Sequence, residues 1–229
     1  MKKIYTDGTY ANLNPTWHAE DSPWKATMIA RMLSTRDMDI QTVAEIGCGA
    51  GGVIKSLQEK MSANVKFFGF DISEDAIARA GGREGLHFYC GDLLSREETY
   101  DLLLVIDVIE HVPDYLGFLE KCRQRARFKL YHIPLDIHVS SVVRASFINE
   151  RHTIGHIHYF TAESAFASLS DTGHKVIEFC YTDGAVALER FHPGWKRKLA
   201  NIPRRVVASI SRPWAARLLG GYSLLILAE

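Results

Sequence analysis

Three acidic residues and one glycine cluster stand where they could hold a small ligand against the main chain. Glu45 precedes G-C-G-A-G-G (47 to 52), Asp71 closes the run V-K-F-F-G-F-D, and Asp92 closes L-H-F-Y-C-G-D. Glycines accept positive φ and carry no Cβ, so a ligand can lie directly on the backbone of such a turn. Gly47, Gly49 and Gly52 satisfy G-x-G-x-x-G, a spacing common to several nucleotide-type sites and weak by itself. The acids narrow it. A pyrophosphate would be repelled at Glu45 and an ammonium attracted there; Asp71 suits ribose hydroxyls, and Asp92 suits the donor on an adenine ring.

A second set of residues offers proton transfer. Five of the ten histidines fall between His132 and His158. His111, His132, Asp136, His138, His156 and His158 are the candidate bases, and the last five lie at or beyond the end of one apolar run, F-K-L-Y-H-I-P-L-D. His156-x-His158 has a spacing that can chelate, but the sequence displays no firm carboxylate partner, so no metal site is expected. His111 follows D-V-I-E and fits a helix start with a structural hydrogen bond as well as it fits an active-site position.

These residues need elements to position them. T-V-A-E-I runs into the glycines and then V-I-K-S-L-Q-E-K, which reads as a buried strand, a turn and a helix start. Further strands are expected at 65–71, 86–92, 100–112, 128–136, 175–182 and 222–229. Helices are expected over 23–34, from Ser73 to 80, from Pro113 and Asp114 to about Arg125, and after Thr161 up to Gly173. The histidine-rich stretch after 136 reads as irregular to His158. Between 185 and 220, Leu199, Ile202, Val206 and Ile210 recur at helical steps beside Lys196, Arg197, Lys198, Arg204 and Arg205. Pro203 is expected to break or restart that helix, and Pro213 to start another ending at Gly220 and Gly221. Ahead of the first strand, Tyr5, Tyr10, Trp17, His18 and Trp24 belong to an N-terminal cover. Strands alternating with helices, several continuously apolar, indicate an α/β fold with a parallel sheet covered on both faces.

With 229 residues and 47% hydrophobic content, one domain is the default. It spans 1–229, with the helical cover at 1–40 and insertions at 137–158 and 185–220. Basic and acidic residues both number 27, which removes a global argument for nucleic acid, and none is expected as a partner. The charge is segregated, however: 189 to 217 carries eight basic residues and one acidic. Cys48, Cys90, Cys122 and Cys180 form no C-x-x-C pair and read as reduced thiols. No secretory leader is visible and no run reaches the ~20 apolar residues of a membrane span, so a cytoplasmic protein is expected.

In E-I-G-C-G-A-G, in the acids after the second and third strands and in the run ending I-E-H-V, the sequence resembles the class I S-adenosylmethionine (SAM)-dependent methyltransferases, notably the bacterial type 11/12 group. The resemblance covers about 40 to 182 and the last strand. It implies a Rossmann-like seven-stranded sheet ordered 3-2-1-4-5-7-6 with strand 7 antiparallel, SAM as cofactor, and methyl transfer as the activity. It places Glu45, Gly47, Cys48 and Gly49 at the methionine end, Asp71 and Ile72 at the ribose, Asp92 and Leu93 at the adenine, and Asp107 at the pocket floor. The alternatives are an NAD-dependent oxidoreductase, disfavoured by Glu45 and Asp92, and a SAM-binding domain without turnover. The insertion at 185–220 would emerge on the cofactor side of the sheet and border the acceptor. Its Trp195 and basic amphipathic segment at 195–212 suit an anionic membrane or a phosphate-bearing acceptor, so a small-molecule or lipid-linked acceptor at the inner membrane face is the expected partner.

Overall fold

Two apolar cores, one on each face of a single sheet, follow from the two-residue period of the central strands. The computed structural model describes residues 20–190 and 194–229, apart from the side chains of Arg190, Lys196 and Arg197. Tyr5, Tyr10, Trp17 and His18 lie outside the described residues. The strands are β1 (Thr42–Ile46), β2 (Lys66–Asp71), β3 (Leu86–Cys90), β4 (Tyr100–Ile106), β5 (Ala126–Pro134), β6 (Val176–Thr182) and β7 (Ser223–Ala228). They are ordered β3-β2-β1-β4-β5-β7-β6. β1 to β5 are parallel, and β7 runs antiparallel to both β5 and β6. The expected order and the reversed last strand are both present.

The helices, in chain order, are α1 (Ser22–Ser34), α2 (Gly52–Gln58), α3 (Glu74–Ala80), α4 (Tyr115–Arg123), α5 (Val139–Arg144), α6 (Phe147–Thr153), α7 (Ala162–Asp171), α8 (Gly184–Ala187), α9 (Trp195–Ile210) and α10 (Arg212–Leu219). Val43, Leu102, Leu104, Leu130, Leu225 and Leu227 face α1 and α2, where they meet Ile29, Met32, Ile54 and Leu57. Ala44, Leu103, Val105, Tyr131, Ile133, Leu224 and Ile226 face the other way, onto Leu119 and Cys122 of α4, Ala165 and Leu169 of α7, and Ala215 and Ala216 of α10. Leu102, Leu103 and Leu104 are all fully buried, each burial stabilising by about 1.5–3 kcal/mol, which makes β4 the middle of both cores. No helix among the described residues is long and apolar enough to cross a membrane.

Capping residues fix where the helices begin. Ser73 accepts from Ala76 N–H, and Thr161 forms a capping box with Ser164. Four expectations need correction. β4 stops at Ile106 instead of running to 112, because Asp107 takes φ +54° and residues 109–111 form one 3-10 turn. β3 stops at Cys90, and Asp92 caps the next turn by accepting from Leu94 N–H at 2.9 Å. The stretch after 136 is not irregular: α5 and α6 lie within it, although V-S-S-V-V is a poor helix former. His138 offsets this by capping α5 through Nδ1, which accepts from Ser141 N–H at 3.0 Å. Finally, α9 passes through Pro203 unbroken. The proline and Leu199, whose carbonyl loses its helical donor, are both exposed, so water can serve that carbonyl. The inward face is meanwhile held by Asn201 Nδ2 donating to Ala185 O at 3.0 Å and Arg204 Nε donating to Gly220 O at 2.9 Å.

Candidate functional site

The C-terminal ends of β1, β2 and β4 converge on a set of buried carboxylates. Glu45 is paired across the sheet with Gly69 on one side and Leu104 on the other, and is 2% exposed. Its Oε2 is buried with no hydrogen-bond partner. Burial pushes its carboxyl up to about 8, with nearby Lys25 partly offsetting that rise. The next residues turn sharply, Gly47 at φ +69° and Gly49 at φ +54°. At Gly47 a Cβ would also lie 2.7 Å from a Val108 methyl, so this position excludes larger residues twice over. Asp71 braces the turn: Oδ2 accepts from Gly49 N–H at 2.8 Å, and Oδ1 from Ser73 N–H at 2.8 Å. Burial raises the Asp71 carboxyl despite these bonds.

Lys25, on α1, was absent from the sequence reading and is central here. Its Nζ donates to Asp107 Oδ2 at 2.6 Å and meets Asp21 at 2.7 Å. Burial disfavours its charge, but the two acids outweigh burial and hold it protonated. Asp107 Oδ1 lies 2.5 Å from His132 Nδ1, and His132 Nε2 lies 2.9 Å from Thr182 Oγ1. Burial opposes the Asp107 charge too, but His132 and Lys25 hold its carboxyl below the usual range. Asp107 is thus an anion pinned between α1 and β5. His132 has both ring nitrogens engaged and orients Asp107; it is not placed as a free base.

The remaining candidates separate into two groups. His138 is spent on its cap, and Ser140 Oγ lies 2.9 Å from the same Nδ1. His158 Nε2 donates to Pro113 O at 3.2 Å while its ring sits on Tyr115, so it does not pair with His156. His111 and His156 do come together, ring centroids 4.9 Å apart, around Glu110. His156 Nδ1 is 2.7 Å from Asp136 Oδ2, and His111 Nδ1 is 3.0 Å from Gly155 O. Glu110 is fully buried, and neither of its carboxylate oxygens has a hydrogen-bond partner. Burial, reinforced by Asp107, raises its carboxyl well above the usual range, and burial lowers His111 to about 4. Glu110 O accepts from Ile157 N–H at 2.9 Å and His158 N–H at 3.1 Å, which ties the segment before α7 to the end of β4. Glu110 was visible in I-E-H-V but went unranked among the bases. Its importance comes from a contact 46 residues along the chain, which local spacing does not reveal.

Around the expected cofactor positions, Cys48 is buried, and that burial pushes its thiol far up, away from the reactive thiolate. Ile72 is exposed at 36%, whereas the Leu93 side chain is wholly in the core, so only its backbone is available to a ligand. Asp92 is exposed and free to accept through lone pairs its cap does not use.

The insertion after β6 leaves its apolar side outward. Asn201 is buried at 1% exposure, with its Nδ2 on Ala185 O and Glu189 Oε2, and Arg204 grips Gly220 O and Leu219 O. The opposite face carries Trp195, Leu199, Ile202, Val206 and Ile210, exposed at 72, 59, 51, 57 and 85%. A groove of ≈ 590 Å³ lies along it, lined by Glu189, Trp195, Lys198, Leu199, Ile202 and Arg205.

Comparison with known proteins gives the following. Residues 44–127 match a family model described as a methyltransferase domain. The ubiquinone biosynthesis O-methyltransferase of Paraburkholderia xenovorans is 32% identical over 92 residues, covering 36% of this chain and 38% of that protein. The chain therefore spans well under half the length of this curated relative. Among solved structures, the magnesium protoporphyrin IX methyltransferase of Synechocystis PCC 6803, crystallised with bound SAH, superposes with TM-score 0.63 at 14% identity, over 99% of this chain and 96% of that one. The cyclopropane synthase MmaA2 of Mycobacterium tuberculosis superposes with TM-score 0.62 at 14% identity, over 89% and 83%. At such identities the likeness is one of fold.

Proposed function

Since this chain carries, over residues 44–127, the methyltransferase domain of the class I SAM-dependent family, we propose that it transfers a methyl group from SAM to an oxygen of a hydrophobic, lipid-linked acceptor. The observation that carries the cofactor assignment is the buried, partnerless Glu45 oxygen beside two left-handed glycines. An ammonium donor satisfies that oxygen and holds it ionised; a pyrophosphate offers it no donor. The residues present fit SAM. Glu45 would take the ammonium, the backbone of Gly47 and Gly49 would lie along the methionine, Asp71 would accept ribose hydroxyls through its unused lone pairs, and Asp92 the adenine amino group. Exposed Ile72 supplies an apolar surface for the ring. SAM when bound supplies a methyl carbon activated by a sulfonium, whose departure leaves a neutral thioether.

The protein's own part is alignment and exclusion of water. Asp107, fixed by Lys25 and His132, sets a rigid anionic floor near the developing reaction centre. α1 roofs the site, with the Trp24 ring edge-on to His132 at 6.5 Å. The lipid-linked reading rests on the outward apolar face of α9, and on Val139, Val142, Val143 and Ile148 of α5 and α6, exposed at 54 to 79%. An oxygen acceptor agrees with the name of the P. xenovorans relative.

Titration calorimetry with SAM and, separately, NADH tests the cofactor; SAM binding without NADH binding is expected, and the converse overturns the reading. Incubating membrane extract with methyl-labelled SAM should then place label in the organic phase. Label confined to water-soluble products would remove the lipid acceptor, and no label in any fraction would leave a SAM-binding domain without turnover.

A further inference from the structure

Three groups at the end of β4 and in the segment before α7 point electron pairs at one another. Glu110, His111 and His156 each offer a ligand atom, all within 4.8 Å of one another. His111 Nε2 is 3.9 Å and His156 Nε2 3.8 Å from the same Glu110 oxygen, Oε1. Their Nδ1 atoms face acceptors, the Gly155 carbonyl and the Asp136 carboxylate, so in the neutral rings Nδ1 carries the hydrogen and Nε2 a lone pair. Both imidazoles are therefore turned with a lone pair toward a carboxylate that has no hydrogen-bond donor. In the interior such a group is matched either by a proton or by a cation.

We infer that Glu110, His111 and His156 form a binding site for one divalent first-row transition cation. Two imidazoles and one carboxylate are a ligand set that suits Zn²⁺, Co²⁺, Mn²⁺ or Fe²⁺ and rejects the hard alkaline-earth ions, which prefer oxygen alone. Around an ion bonded at about 2.0–2.2 Å, neighbouring ligand atoms stand roughly 3–4 Å apart, so the two observed separations need only small side-chain shifts. The supporting contacts have the form that metal-bound histidines use: Asp136 behind His156 and a backbone carbonyl behind His111 fix tautomer and ring orientation. Asp136, a candidate base in the sequence, thus becomes the group that orients a ligand. Three protein ligands leave at least one position open, and His111, with 17% of its side chain exposed, is the side from which water reaches it.

The site lies three residues beyond Asp107 on the same strand end, on the side of the sheet where the acceptor is proposed to bind. An acceptor oxygen in the open position would be held and polarised there. That use rests on the methyltransferase reading; cation binding does not, and it is measured without SAM or acceptor.

The test uses the full chain without an affinity tag, dialysed against chelator and titrated with Co²⁺, with visible absorption and calorimetry as readouts. The expected result is one ion per chain, with a ligand-field spectrum of nitrogen and oxygen coordination. Affinity should fall at least 100-fold in Glu110→Gln and in His156→Ala, and at least 10-fold in His111→Ala, while His158→Ala binds as the parent does. Far-UV circular dichroism identifies a variant that fails to fold; His111, the most exposed of the three ligands, provides the variant least prone to that failure. Absence of stoichiometric binding to the parent chain overturns the inference. So does unchanged binding in His111→Ala, or a loss in His158→Ala equal to that in His111→Ala.

Discussion

At the scale of single residues, Glu45 gives the sharpest consequence. Its carboxyl, pushed up to about 8 by burial, is largely protonated at pH 6, whereas pairing with an ammonium requires the carboxylate. Binding SAM must then expel a proton, so affinity rises with pH below 8. The slope is at most tenfold per unit, and is steepest between about pH 6 and 7, before the ammonium itself begins to titrate. Calorimetry in two buffers of different ionisation enthalpy measures the released proton directly. Glu45→Gln should bind more weakly at pH 7.5 and lose the proton release; release that persists in the variant would place the titrating group elsewhere. Glu45, Asp71 and Asp92 were legible as site residues because each is an acid at a strand end, where the fold leaves no apolar reason for it. Lys25 was not legible, since a lysine in an amphipathic helix ordinarily faces water and its acid partner is 82 residues away. Nor was the fixed role of His132, whose second nitrogen is held by a threonine 50 residues on.

At the scale of elements, the join between α10 and α5 shows how the acceptor side is held together. Gly220, just past α10, has φ +66°, and a Cβ there would fall 2.0 Å from His138 Nε2, inside the ring that caps α5. Gly220→Ala therefore combines backbone strain with displacement of the capping imidazole. A loss of roughly 2–4 kcal/mol is expected, lowering Tm by roughly 4–16 °C in a chain of this length. Gly81→Ala is the control: φ is +55°, but nothing lies within 4 Å of the added Cβ, so only the backbone cost of about 1–3 kcal/mol remains. Equal losses in the two variants would mean that the His138 contact carries no weight. The strands were readable from apolar runs because burial on both faces removes any polar interruption. α5 was not readable, because its stability comes from a histidine cap and from contact with α10, neither of which has a local signature. Pro203 misled for a related reason: its penalty is real, but it falls on the wet side of a helix anchored from the other side by Asn201 and Arg204.

At the scale of the whole molecule, charge and apolar exposure coincide on one side. The chain is neutral overall, yet 189 to 217 has eight basic residues against one acidic, and the same segment presents five large apolar side chains outward from α9. β6 is parallel to the direction of β1 to β5, so α8 to α10 leave from the sheet end that carries Glu45, Asp71 and Asp107. The insertion that carries α9 therefore begins at the same sheet end as those acids. We propose that this apolar strip, flanked by Lys198 and by Arg205 in its pair with Glu189, lies on an anionic bilayer, where buried apolar area supplies the attraction and each unpaired basic residue adds about 1 kcal/mol. Cosedimentation with vesicles containing one third phosphatidylglycerol should pellet the chain, and pure phosphatidylcholine vesicles should pellet less. Raising salt from 0.05 M to 0.5 M should weaken the first and barely touch the second, because screening removes the charge contribution and leaves the apolar one. Ile202→Ser with Ile210→Ser, both at outward positions, should abolish pelleting with Tm changed by no more than a degree or two. If that double variant sediments like the parent chain, the strip faces something other than lipid, and the acceptor must reach the methyl group from solution.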